Sequence, residues 1–281
     1  MRIPVVTALT AVLTGGLLCA SAGAPVRQAG PLPTRESLMA LVRAAARLDI
    51  DLQKDFVYIE RRRDVKVGPL GKVSVGPLRT FEVFPSAEPG RTYKRLIAIE
   101  DRPLDPAELQ RRDADHARDL AEETRRSRRD GSDAQTRRRA EHARRQSLAI
   151  LADALDLFEL SPVSRELVDG EPTIEATMTP RPNARVSTRE GGWMKQFEGR
   201  GWFVEADGQL ARLDMHAVND VSIGWGIIGR LHKGTRLVVE RHRVGHTWLP
   251  GRLTFEATGR TLMFRPFELH LVTEYSDYKA K

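Results

Sequence analysis

The stretch Gly224-Trp225-Gly226-Ile227-Ile228-Gly229 carries the G-x-G-x-x-G spacing that lets a backbone close around a dinucleotide pyrophosphate. That chemistry needs a strand before the glycines, a long helix after them, and an acidic residue about twenty positions on for the ribose. Only Arg230-Leu231-His232-Lys233-Gly234 follows before strand-forming residues resume at Thr235, so no crossover helix fits. Trp225, Ile227 and Ile228 are also too bulky and apolar to wrap phosphate. The glycines instead suit a bend in a sheet. They make either a buried connection between strands or a flexible rim, with Trp225, Ile227 and Ile228 as the lip of an apolar cavity.

His242 and His246 have the i,i+4 spacing of a helical metal pair, yet Val238 to Val244 alternates as a strand does. On a strand the two lie roughly 13 Å apart, too far to share an ion. No cysteine or carboxylate joins them in a zinc pattern. His216, His232 and His270 are isolated. No G-x-S-x-G elbow, P-loop or H-E-x-x-H occurs. No metal, cofactor or catalytic set is therefore expected, and the chain reads as non-enzymatic.

Charge is the other chemical feature. The formal net charge is +7. Between Arg125 and Arg145 lie Arg125, Arg126, Arg128, Arg129, Arg137, Arg138, Arg139, Arg144 and Arg145, against only Asp130, Asp133 and Glu141. The basic character is thus local, which argues against a nucleic-acid footprint, and no aromatic platform interleaves the arginines. A solvated helical surface is the plain reading of this block. The functional one is contact with anionic lipid headgroups or envelope polymers through Arg125, Arg126, Arg128, Arg129, Arg137, Arg138 and Arg139.

The elements that position these residues follow from periodicity. Residues 1–22 have a short basic start, an apolar run from Val5 to Leu18 and the small-residue tripeptide Ala20-Ser21-Ala22, the pattern of a cleaved secretory signal. The expected location is the periplasm. Cys19 follows Leu18 where a lipobox wants a small residue, so lipid anchoring there is not expected. Thr34 to about Asp51 places Leu38, Leu41, Val42, Ala45 and Leu48 on one helical face. From Asp55 to Glu100 the period becomes two, a meander of three strands. Residues 105–160 form a charged helical hairpin, broken at Asp130-Gly131-Ser132 and laced with i,i+4 pairs such as Glu108/Arg112. Leu148, Leu151, Leu155 and Phe158 make its docking stripe. About eight further strands follow, an expectation from alternation alone. Asp169-Gly170 and Asp207-Gly208 are hairpin turns, and Thr179 to Gly192 is a loop. The fold class is α+β: a large curved antiparallel sheet, an incomplete β-barrel, covered by the N-terminal helix and carrying the inserted hairpin.

Three segments carry a family resemblance: "LVDGEPTIEATMTP", "GRGWFVEADGQLARLDMHAV" and "RTLMFRPFELHLVTEYSDY". With the order of elements, residues 23–281 resemble the periplasmic lipoprotein-carrier superfamily (LolA/LolB-like). The match covers Leu160 to Lys281 well and Arg35 to Glu100 loosely, and it excludes the Arg-rich hairpin. The resemblance implies a half-barrel with helices lidding an apolar cavity that holds lipid or lipoprotein acyl chains. It implies no catalytic residue. Alternate strand positions then propose Val57, Ile59, Phe81, Val83, Ile97, Leu213, Met215, Leu253 and Phe255 as the cavity wall. The alternative is an envelope scaffold whose arginines contact anionic surfaces.

Overall fold

The computed structural model describes residues 30–48, 53–86, 92–130, 133–223, 229–261 and 264–281. The expected signal segment, with Cys19, lies outside them.

Helix α1 (Arg35–Leu48) begins where Thr34 Oγ1 accepts the Ser37 amide. Its apolar stripe buries Leu38, Val42, Ala45 and Ala46. Full burial of a leucine or valine contributes about 1.5–3 kcal/mol, so this stripe is what holds the helix on the sheet. Three strands follow, β1 (Phe56–Val67), β2 (Val73–Phe84) and β3 (Tyr93–Ile99), with a two-residue β4 (Arg102–Pro103). Helices α2 (Pro106–Asp130) and α3 (Asp133–Leu157) form the hairpin. Strands β5 (Phe158–Val168), β6 (Glu171–Pro180), β7 (Phe197–Val204) and β8 (Leu210–Ala217) come next, with the short helix α4 (Arg189–Met194) between β6 and β7. Then come β9 (Val221–Ile223), β10 (Gly229–Leu231), β11 (Arg236–Val244), β12 (Thr247–Thr261) and β13 (Arg265–Ala280).

These thirteen strands make one antiparallel sheet, ordered β4-β3-β2-β1-β13-β12-β11-β8-β7-β6-β5, with the β9–β10 hairpin attached to β12. The sheet is not closed, as an incomplete barrel requires; β4 and β5 are its edges. Both edges are blunted against further pairing. β4 is two residues long and ends in Pro103, and β5 carries Pro162 with an irregularity beside it. The α2–α3 hairpin joins the two edges. Asp169 and Gly170 both have positive φ, the geometry their hairpin turn demands.

Residues paired across strands share a face. The register runs Leu213–Val239–Leu253–Thr273–Arg62. Alternation along β1 therefore puts Arg62, Glu60 and Tyr58 on the Leu213 face, which we call inner. Glu60 pairs with Phe81, and Tyr58 with Val83. Phe81 and Val83 thus point inward. Val57 and Ile59 do not. They lie on the opposite face, which corrects the expected phase of β1. Tyr58 and Glu60 are buried instead, while Val57 and Ile59 are half-buried. Ile97 is the extra residue at an irregularity opposite Thr80 and Phe81, so simple alternation does not apply to it.

Two further expectations change. The loop from Thr179 to Gly192 contains the start of α4, capped by Thr188 Oγ1 accepting the Gly191 amide. Leu148 is exposed, and Ile150 joins Leu151 as a buried residue of α3.

Candidate functional site

The inner face is chemically divided. Its β5–β8 and β11 part is apolar and is covered by α1, the end of α3 and α4. Between these layers lies a cavity of about 150 Å³. Met39, Val42 and Ala46 of α1 form its roof, with Ile150, Leu151, Ala154 and Leu155 of α3 and Trp193 and Met194 of α4. The floor is Leu160, Met178, Phe203, Leu210, Leu213, Met215, Leu237 and Val239. Among the described residues, Glu190 is the one charged residue along the wall.

Of the expected wall residues, Leu213 and Met215 line this cavity. Leu253 and Phe255 share its face but are packed one strand further on, in a cluster with Leu237, Ala257, Leu269 and Leu271. Phe81 and Val83 lie beyond that, on β2. Trp225, Ile227 and Ile228 fall outside the described residues. The segment containing them joins β9 to β10, which pair antiparallel through Ile223 and Gly229. No crossover helix follows the glycines, so the dinucleotide geometry is missing there. The helical contributors Ile150, Ala154, Trp193 and Met194 were missed. The helical spacing of Leu151 and Leu155 was a usable signal for the first two. Nothing in the loop-like composition around α4 pointed to the last two.

The hairpin arginines lie within the ranges of α2 and α3. Arg125 and Arg138 are exposed. The side chains of Arg126, Arg128, Arg129, Arg137 and Arg139 lie outside the described residues. The hairpin is tied to the outer face at β3. Asp113 accepts the Tyr93 hydroxyl at 2.7 Å and two Arg95 guanidinium bonds at 3.0 and 2.7 Å. The His116 ring stacks on Tyr93 at 3.8 Å. Arg95, then Tyr93, holds the Asp113 carboxyl below its ordinary value. Burial, then the bond to Asp113, pushes the Tyr93 hydroxyl up to about 12.

The lid elements are locked by Asp153. Its carboxylate accepts the amides of Ser187 at 2.9 Å and Thr188 at 2.7 Å, and both hydroxyls as well. Burial alone would raise this carboxyl. The four hydrogen bonds outweigh it and hold the group below its ordinary value. At Gly191 a Cβ would come within 2.4 Å of Asp153 Oδ2, so only glycine lets α4 approach this closely.

On the β13–β1–β2–β3 side the inner face turns polar. Glu60, only 2% exposed, accepts from Arg62 at 2.5 Å and Lys94 at 2.6 Å. Two cations on one buried carboxylate satisfy the rule that buried charge is paired. Tyr58, Tyr275 and Tyr278 cluster beside it with ring centroids 5.3–6.0 Å apart. Burial raises all three hydroxyls well above the tyrosine range. Tyr278 donates to the Pro250 carbonyl at 2.8 Å.

The remaining chemistry disperses. His242 is exposed and 4.0 Å from Asp169, and His246 is exposed in the following turn. Among the described residues no three His, Cys, Asp or Glu side chains converge as a metal site. No described helix is long and apolar enough to cross a membrane. The outer face carries alternating pairs such as Asp214–Arg236 and Glu175–Arg200, in which Arg236 holds Asp214 below its ordinary value.

No family model matches the chain, and no curated protein matches it. Among solved structures it is similar to the crystal structure of a DUF1329 family protein from Desulfovibrio piger. The identity is 10% and the TM-score 0.31, over 89% of this chain and 94% of that one. A superposition this loose transfers neither fold nor function, so the cavity has to speak for itself.

Proposed function

We propose that the chain is an exported, non-enzymatic carrier that holds a lipid or lipoprotein acyl chain between its helical lid and the inner face of its sheet. The observation that supports this is the cavity wall, which is apolar on both layers apart from Glu190. Such a site binds by area alone. Each methylene moved from water contributes about 0.8 kcal/mol, so no polar anchor is required.

The cavity's size sets a condition. A dry apolar cavity of about 150 Å³ accommodates a benzene-sized guest. A long acyl chain therefore needs the lid to move. α1 is the element we assign to that movement: among the described residues its polar ties to the body are the Arg35–Glu159 and Arg43–Asp156 pairs, both with exposed partners, and one bond from Arg43 to the Leu155 carbonyl at 2.9 Å. Exposed pairs contribute at most about 1 kcal/mol each.

The same small volume favours the second reading, a scaffold with a filled core whose arginine hairpin contacts anionic envelope surfaces. Native mass spectrometry of protein purified without detergent, followed by lipid extraction, separates the two. A stoichiometric lipid is expected. Ala154→Phe projects a ring into the cavity and is expected to lose that lipid while melting cooperatively. A bare wild-type protein that also refuses a fluorescent fatty acid sinks the carrier reading.

A further inference from the structure

Two of the most exposed large apolar side chains lie on adjoining tips of the sheet. Leu70 is 69% exposed at the tip joining β1 to β2, and Phe264 is 70% exposed at the tip joining β12 to β13. The two tips touch: Thr261 Oγ1 donates to the Gly71 carbonyl, and the Phe264 amide donates to the Thr261 carbonyl. Val75, near the start of β2, is also exposed.

The charge around them is one-sided. Lys66 and Lys72 flank Leu70, and Arg260 and Arg265 flank Phe264; all four are exposed. None of the four has an ion-pair partner among the described residues. In the body of the sheet Arg61, Arg63, Arg79, Arg200 and Arg236 each face a carboxylate, while the exposed Arg252 and Lys279 do not among the described residues; what marks the tips is four such cations beside exposed apolar side chains. Glu268 is the nearby acid on β13, and Asp220 is engaged with Arg230. Exposed apolar side chains flanked along the chain by cations without ion pairs match the interface of an anionic bilayer. There the rings and aliphatic groups enter the acyl boundary and the cations meet headgroups.

The patch is also continuous with the interior. Val65, Val73 and Phe267, at the bases of the tips, pack against the cluster of Leu237, Leu253 and Phe255. Trp193 and Phe197 pack against that same cluster and line the cavity.

We propose that the paired β1–β2 and β12–β13 tips seat the protein on an anionic lipid bilayer, with Leu70 and Phe264 as the inserting residues and Lys66, Lys72, Arg260 and Arg265 as the charged collar. This docking stands apart from the carrier reading, since a scaffold would use it equally.

The test is vesicle flotation of the chain as its host processes it. The vesicles are phosphatidylcholine with or without phosphatidylglycerol. Leu70→Asn combined with Phe264→Ser removes the inserting groups. Leu70 has φ 58°, a left-handed backbone that asparagine adopts more readily than leucine, so the double variant should keep its fold. Binding to phosphatidylglycerol vesicles is expected to weaken by tenfold or more in this variant. It should also weaken in the variant with all four collar cations changed to glutamine, and with rising salt only while those cations are present. Lipid co-purification in the double variant reports on the cavity separately. The proposal is overturned by a wild-type protein that does not float, by equal binding to pure phosphatidylcholine, or by an unaffected double variant. Loss of binding on removing the arginine hairpin alone would move the contact to that hairpin. Conversion of a dimer to a monomer by the double variant would make the patch a self-interface instead.

Discussion

Asp153 shows how much one carboxylate can hold in place. It sits on α3 beside the cavity residue Ala154 and gathers four hydrogen bonds from Ser187 and Thr188. Thr188 in turn caps α4, which carries Trp193 and Met194 into the wall. Asp153→Asn removes the charge and half the acceptor capacity and is expected to cost about 2–3 kcal/mol at neutral pH. The sign of the pH dependence follows from the lowered folded-state value. The stabilisation is complete above the unfolded carboxylate value and is lost as pH falls through the folded one. The melting gap between wild type and variant should therefore narrow as pH falls below the ordinary carboxylate range. An equal gap at pH 3 and pH 7, or none at either, would remove Asp153 from this role. Such a residue was invisible in the sequence, because an aspartate on a charged helix reads as solvated until its partners, more than thirty positions away, are folded against it.

At the scale of the element, α1 decides access to the cavity. It rests on the β7–β8 turn at Gly208, where φ is +75° and a Cβ would lie 2.6 Å from the Leu41 carbonyl carbon. Gly208→Ala brings both backbone strain and a collision, together costing about 1–3 kcal/mol. Faster hydrogen exchange confined to the α1 amides and stronger uptake of an apolar dye are expected. Uniform loss of protection across the sheet would mean that α1 is not an independent lid. The Asp-Gly turn was legible in the sequence, as was the apolar stripe of α1; their contact was not. The phase of β1 failed for a related reason. Val57-Tyr58-Ile59-Glu60 alternates two ways, and its β-branched residues favour the inward phase by hydrophobicity alone. Cross-strand partners reversed this, since Glu60 meets Arg62 and Lys94 and Tyr58 meets Tyr275 and Tyr278. A polar set completed only by two other strands, β3 and β13, cannot be recognised from one.

At the scale of the whole molecule, the hairpin joins the open edges of the sheet without pairing in it. Deleting residues 115–144 keeps Asp113 and the cavity residues from Ile150 onward. The shortened protein is expected to melt within a few degrees of wild type, because the strand ladders and the α1 contacts are untouched. It should also retain its lipid. A scaffold acting through its arginines would instead lose its salt-sensitive surface association. Loss of lipid in a folded deletion variant would count against the carrier.

By itself the sequence determined the α+β class, the run of antiparallel strands, the inserted hairpin and several of its turns. Periodicity and turn chemistry are local, and they are written within ten or fifteen residues. Only the tertiary structure decided which half of the inner face is apolar, where the cavity lies, and that Leu253 and Phe255 are packed core beside Leu213 and Met215 at the wall. It also decided that the tips carrying Leu70 and Phe264 meet, through Thr261 and Gly71, although 194 positions separate Leu70 from Phe264. Those outcomes depend on register between distant strands and on what covers each face. Both are set by the joint burial of many side chains rather than by the pattern of any one segment.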